Sequence, residues 1–218
     1  NCRDRNRIAL QKDFLGVAAL GVTSVFLMRG KKIRDKDNLG ARNVFDMPAL
    51  EFMAFIESLK NTENASLASD ILVGASAELF NPGNNWTPNN LNRKCDAGAN
   101  FIQTQLCFDM RVVRNYMAHI VGAKLTHRAS FIMALSPFPS ADVARWMRDN
   151  VKGALVPEPI IERMEDASDP EREGIEICAE LLRELATIPG VRGVNLLTMG
   201  NLETIPATIN ASGLRQQR

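Results

Sequence analysis

Four stretches of the chain carry residue types that suit ligand chemistry. Arg29-Gly30-Lys31-Lys32 sets a glycine among cations. Glycine admits close approach to the backbone, and flanking cations suit phosphate. A solvated basic turn would use the same residues. Asn90-Leu91-Asn92-Arg93-Lys94 lies early in a predicted helix, where N-terminal amides and two cations could hold a pyrophosphate. A surface charge pair is the alternative there. Gln103 and Gln105 share one face of a predicted strand, because side chains alternate with period two. Such a glutamine can donate to and accept from the amide-like edge of a heterocycle, or bond within the core. Glu78 follows an apolar run and stands out among the carboxylates, none of which forms a readable acid/base pair.

Other chemistries are poorly served. Ser136 has no His/Asp pattern near it, which argues against a nucleophilic triad. His119 and His127 flank a helix-to-strand connection and are expected away from the site, as structural or exposed groups. Cys2, Cys95, Cys107 and Cys178 are scattered, with no C-x-x-C pair. No metal site and no disulfide framework are therefore expected, and a reducing compartment suits the thiols.

The elements that would position these groups are legible as alternation. Apolar runs at Ser24 to Arg29, Ile71 to Ser76, Phe101 to Phe108, Ser130 to Leu135 and Gly193 to Thr198 read as strands. They are nearly continuous in apolar residues, as in parallel strands buried on both faces. Helical patterns lie between them: Ile8 to Leu20, Met47 to Leu59, Pro88 to Ala97, Arg111 to Val121, Ser140 to Asn150, Pro157 to Met164 and Glu173 to Leu185. Ile8, Leu15, Ala19 and Leu20 are predicted to share a face, and Asp46 to cap the second helix with Pro48 in its first turn.

Strands alternating with helices imply a parallel α/β fold. A doubly wound nucleotide-binding fold would carry G-x-G-x-x-G after its first strand, and neither that motif nor a P-loop occurs. A (β/α)8 TIM barrel takes roughly 250 residues. Five strands preceded by a helix fit such a barrel lacking its first two to three strands, with residues 1–218 forming one partial catalytic domain. In a barrel the functional loops follow strand C-termini. That places Arg29 to Lys32, Glu78 to Asn90, Gln103 to Gln105, Asp109, Ser136-Pro137 and Thr198 to Asn201 on the working face.

Composition agrees with an ordinary globular chain. Of 218 residues, 45% are hydrophobic and 23% charged, enough for a substantial core. A formal net charge of +1 favours neither nucleic acid nor an anionic membrane as partner. No run approaches the roughly 18 to 20 apolar residues of a membrane span. The charged start without Met reads as internal rather than as a signal peptide. The N-x-Ser/Thr patterns at Asn64, Asn85 and Asn210 then read as chance.

Together these stretches resemble the methylenetetrahydrofolate reductase family. Asp96-Ala97-Gly98-Ala99-Asn100-Phe101-Ile102-Gln103-Thr104-Gln105-Leu106-Cys107-Phe108-Asp109 looks like the family's long "DAGA-x-x-x-x-TQ-x-x-FD" signature. Cys2-Arg3-Asp4-Arg5-Asn6 resembles the segment after the third barrel strand, and Gly21 through Gly30 the fourth strand with its "RGD"-type end. Asn43-Val44-Phe45-Asp46 matches the next helix start. Val156-Pro157 through Gly174 to Gly193-Val194-Asn195 fits the last helix and strand.

The resemblance implies a cytoplasmic flavoprotein of one-carbon metabolism and methionine supply. FAD would take hydride from NADH or NADPH and reduce methylenetetrahydrofolate to methyltetrahydrofolate. Arg29, Gly30 and Lys31 would contact the flavin, Asn90, Arg93 and Lys94 its phosphates and ribose, and Gln105 the folate pterin. The catalytic glutamate would lie on the first strand, outside this sequence. Self-association is also implied. Two departures stand out. Lys31 replaces the family's Asp after Arg-Gly, although Asp35 or Asp37 could substitute, and "TLNR" reads Thr198-Met199-Gly200-Asn201 without its arginine. A diverged flavin or folate binder without turnover is the alternative, and a nonflavin barrel enzyme sharing only the scaffold is a third reading.

Overall fold

The computed structural model describes residues 1–33, 40–62, 65–68 and 70–214. Asp35, Asp37 and Asn64 lie outside the described residues. The chain divides into two compact units: Asn1–Ser76 with Asn89–Ile102, and Ala77–Pro88 with Gln103–Arg218.

The first unit begins with α1 (Arg7–Ala19), whose start is closed by two side chains. Asn6 Oδ1 accepts from the Ala9 amide at 2.9 Å, and Asp46 Oδ2 from the Arg7 amide at 2.7 Å. Each satisfies an amide that the helix cannot, worth about 1 kcal/mol. The buried stripe is Leu10, Phe14 and Ala18, spaced by four, and Phe14 meets Phe52 edge-on at 6.4 Å. Ile8 is 74% and Leu20 84% exposed, so the predicted face was the wrong one. The aromatic at 14 sets the buried stripe, since it removes the most apolar surface from water.

β1 (Ser24–Leu27) pairs in parallel with β2 (Leu72–Ala77), Leu27 opposite Ala75. Between them lie α2 (Ala49–Leu59) and the short α3 (Ala65–Ala68). The cap position of α2 is Pro48, without a side-chain bond. Asp46 does not cap α2, because its carboxylate is committed to α1. α4 (Asn89–Asp96) leads through a glycine turn into β3 (Phe101–Leu106). Gly98 has φ +97° and sits against Glu57, where a Cβ would lie 2.7 Å from Oε2. Asn100 then engages Val73 twice: its amide donates to the Val73 carbonyl at 2.7 Å and its Oδ1 accepts from the Val73 amide at 2.8 Å. Phe101 stacks on Phe26 at 6.1 Å and occupies the space a side chain at Gly74 would need.

The second unit takes β3 from Gln103 onward, then α5 (Met110–Gly122), β4 (Ser130–Leu135), α6 (Ala141–Asn150) and α7 (Glu158–Glu165). α8 (Pro170–Ala186), β5 (Val191–Leu196) and α9 (Thr204–Ser212) complete it. Asp109 Oδ1 accepts from the Arg111 amide at 3.0 Å and caps α5, Ser140 caps α6 and Asp169 caps α8. β4 and β5 are parallel, Leu135 opposite Leu196. α8 approaches the Ser136–Pro139 segment so closely that a Cβ on Gly174 would overlap the Phe138 backbone. α9, with Pro206 and four β-branched residues in nine, has no clear apolar stripe in the sequence.

The architecture is α/β, with helices alternating with a parallel five-stranded sheet hydrogen-bonded in the order β1-β2-β3-β4-β5. No described helix is long and apolar enough to cross a membrane.

Candidate functional site

In the first unit, parallel register brings the ends of β1 and β2 to the same edge. Arg29, Gly30 and Lys31 follow β1 there, and Arg29 lies over the Phe45 ring, 5.3 Å from its centroid. Gly30 has φ +85°, and the space beside it is filled: a Cβ would lie 2.8 Å from Arg3 Cβ and 3.1 Å from Asn1 Oδ1. Its glycine answers a conformational need and a packing need. The Lys31 carbonyl accepts from Arg3 Nη1 at 3.3 Å, while its side chain is exposed.

α4 starts at Asn89, so Asn90 stands in the first turn, but Arg93 and Lys94 fall in the last turn rather than early in the helix. Lys94 nevertheless reaches the strand ends, its Nζ donating to the Ser76 carbonyl of β2 at 2.5 Å. Arg93 borders a groove with Pro48, Glu51 and Ala54. The strand ends thus gather Arg29, Gly30, Lys31 and Lys94, with Arg93 set to the side. Among the described residues, no carboxylate pairs with Arg29, Lys31, Lys32 or Arg93. Cations without a counter-charge among the described residues suit an anionic diphosphate.

In the second unit, Gln103 and Gln105 are half-buried and alternate with buried Thr104. They share a face, as the alternation of a strand requires. Thr104 is used internally: its Oγ1 accepts from the Ala134 amide at 3.3 Å. Neither glutamine side chain hydrogen-bonds to a described residue. A half-buried amide without a partner among the described residues is suited to a ligand.

Gln105 is covered by Gly153, a residue the sequence reading passed over. Gly153 has φ +87°, and a Cβ there would overlap Gln105 Oε1. The turn carrying it is fixed beyond by the Phe108 amide, which donates to the Leu155 carbonyl at 2.9 Å. It is also tied by an exposed ion pair between Lys152 and Glu78 at 3.4 Å. Glu78 is thereby a partner for this turn. The available signal was Lys152-Gly153 just past α6, a common left-handed stop.

Other singled-out residues have structural work. Asp109 caps α5 and Ser136 is fully buried. Asn201 holds the turn after β5: Nδ2 donates to Glu171 Oε1 at 2.7 Å, and Oδ1 accepts from the Glu203 amide at 3.0 Å. The loop after β2 runs along α5, where Trp86 packs on Tyr116 and meets the His119 ring at 5.8 Å. His119 therefore contacts a loop expected on the working face, and its Nδ1 donates to the Asn115 carbonyl at 3.0 Å. His127 is exposed. All four cysteines are free thiols, and burial pushes Cys107 and Cys178 up to about 12. Among the described residues, no three His, Cys, Asp or Glu side chains gather to hold a metal ion.

A parallel α/β sheet alternating with helices is a scaffold shared by many ligand-binding enzymes. The family model described as methylenetetrahydrofolate reductase matches residues 1–213, and the chain belongs to that family. Membership makes it an oxidoreductase of folate type. Comparison with curated protein sequences finds no match.

Proposed function

We propose that this protein reduces 5,10-methylenetetrahydrofolate to 5-methyltetrahydrofolate with FAD as cofactor and NADH or NADPH as hydride donor. The observation that carries the reading is the family match across residues 1–213. The five-stranded sheet is taken as part of a (β/α)8 barrel, and the activity as a cytoplasmic step of one-carbon metabolism and methionine supply, in keeping with free thiols.

When bound, FAD supplies the hydride relay between nicotinamide and folate. The chain's own residues bind and orient. Arg29, Lys31 and the Gly30 backbone would lie against the flavin, and Asn90, Arg93 and Lys94 would hold its phosphates and ribose. The lack of carboxylate partners for Arg29, Lys31 and Arg93 among the described residues supports this, and Lys94 reaches the strand ends at the Ser76 carbonyl. Gln105 would donate to and accept from the pterin amide edge, which its unbonded side chain supports.

An absorption spectrum followed by anaerobic titration tests the proposal. A flavin band that bleaches with NADH or NADPH and returns with methylenetetrahydrofolate is expected. A bound flavin that never passes electrons to folate would replace it with a second reading, a flavin and folate binder without turnover. Asn201 favours that second reading, because its side chain is spent on Glu171 and Glu203.

A further inference from the structure

We propose that Gly153 is a positioning residue for Gln105, and so sets the protein's affinity for the folate heterocycle. The inference rests on the reading of Gln105 as the pterin ligand. Three observations carry it. The Gln105 amide has no hydrogen-bond partner among the described residues, so nothing polar fixes the rotation of its end. Gly153 lies against it, and a Cβ there would overlap Oε1, so the missing side chain leaves space that Oε1 occupies. The turn that holds Gly153 is itself anchored, by the Phe108 amide on the Leu155 carbonyl at 2.9 Å and by Lys152 on Glu78 at 3.4 Å.

A carboxamide offers its donor and acceptor in one plane, so recognition of a heterocyclic amide depends on where that plane lies. A methyl group at 153 has to displace something. The nearer part of Gln105 is the free end of a flexible side chain, whereas the turn is bonded on both sides of 153. The amide moves and the turn stays. The φ of +87° adds strain to any side chain at 153, so the test must separate strain from displacement.

Equilibrium binding of 5-methyltetrahydrofolate to the flavin-loaded full chain, read by calorimetry, provides that separation. Gln105→Ala should raise Kd about tenfold, the loss of one or two neutral hydrogen bonds. Gly153→Ala should raise it by a similar factor, and in the Gln105→Ala background it should change Kd no further. Gly153→Asn, which tolerates the left-handed region, gives the same result if Gly153→Ala fails to fold. If Gln105→Ala raises Kd while both Gly153 variants stay within twofold of the parent, the inference falls and the reading of Gln105 stands. Additive effects in the double variant would also overturn it. An unchanged Kd for Gln105→Ala would remove the reading of Gln105 and this inference together.

Discussion

Lys94 Nζ donates to the carbonyl of Ser76 at 2.5 Å, which holds a cation from the last turn of α4 at the end of β2. The carbonyl orients the ammonium at the strand end, where the proposed FAD phosphates would meet it. Lys94→Met keeps the stem and removes the charge. FAD should then bind at least about tenfold more weakly, as for loss of a charge-assisted hydrogen bond. Titration of the apoprotein by flavin fluorescence quenching checks it, and an unchanged Kd would take Lys94 out of the site.

By its resemblance to the family's Arg-Gly-Asp segment Lys31 takes the place of an acid, and its side chain is exposed beside Arg29 and Gly30. A cation near the flavin pyrimidine should favour the reduced anion. Lys31→Asp is therefore expected to lower the flavin midpoint potential. A redox titration that shows no fall would sink the idea.

Two glycines should respond to alanine with opposite signs. A Cβ on Gly174 would overlap the Phe138 backbone, which cannot swing aside as a side chain can. Gly174→Ala should cost more than about 2 kcal/mol, as overpacking does. Gly16 lies within α1 and a Cβ there meets nothing within 4 Å, so Gly16→Ala should stabilise by about 0.5–1 kcal/mol. Urea unfolding of both variants decides the matter.

Cys107 and Cys178 are pushed up to about 12 by burial. A thiol whose pKa rises on folding adds stability that is intact below the unfolded value, about 8.5, and is lost as pH climbs toward 12. Each should remove about 1.4 kcal/mol of stability per pH unit across that window. Cys178→Ala should thus flatten the alkaline limb of a stability–pH curve. In the native protein both thiols should resist iodoacetamide at pH 8 and react once urea unfolds the chain.

Much of the fold was legible because buried parallel strands are nearly continuous in apolar residues. β4 matches its predicted bounds, while β5 begins two residues early, at Val191. α1 shows where patterning fails. Ile8, Leu15, Ala19 and Leu20 make a plausible stripe, but only three-dimensional packing reveals that Phe14 faces Phe52. Asp46 fails similarly: its position before Pro48 suggests one helix, and its carboxylate serves another. The Asp96-to-Asn100 signature turns out to be largely architectural, with Gly98 making the turn and Asn100 completing the bonding of Val73. Gln105 could be singled out by alternation, whereas Gly153 could not, since only folding brings the two together.

The bond from Asp46 to the Arg7 amide also bears on how the chain emerges from a ribosome. The acceptor is made 39 residues after the donor. At about 5–20 residues per second, the start of α1 waits roughly 2 to 8 seconds for its second cap. Until then Asn6 alone closes that end, so α1 should fray during synthesis and settle only when residues through Asp46 have left the exit tunnel.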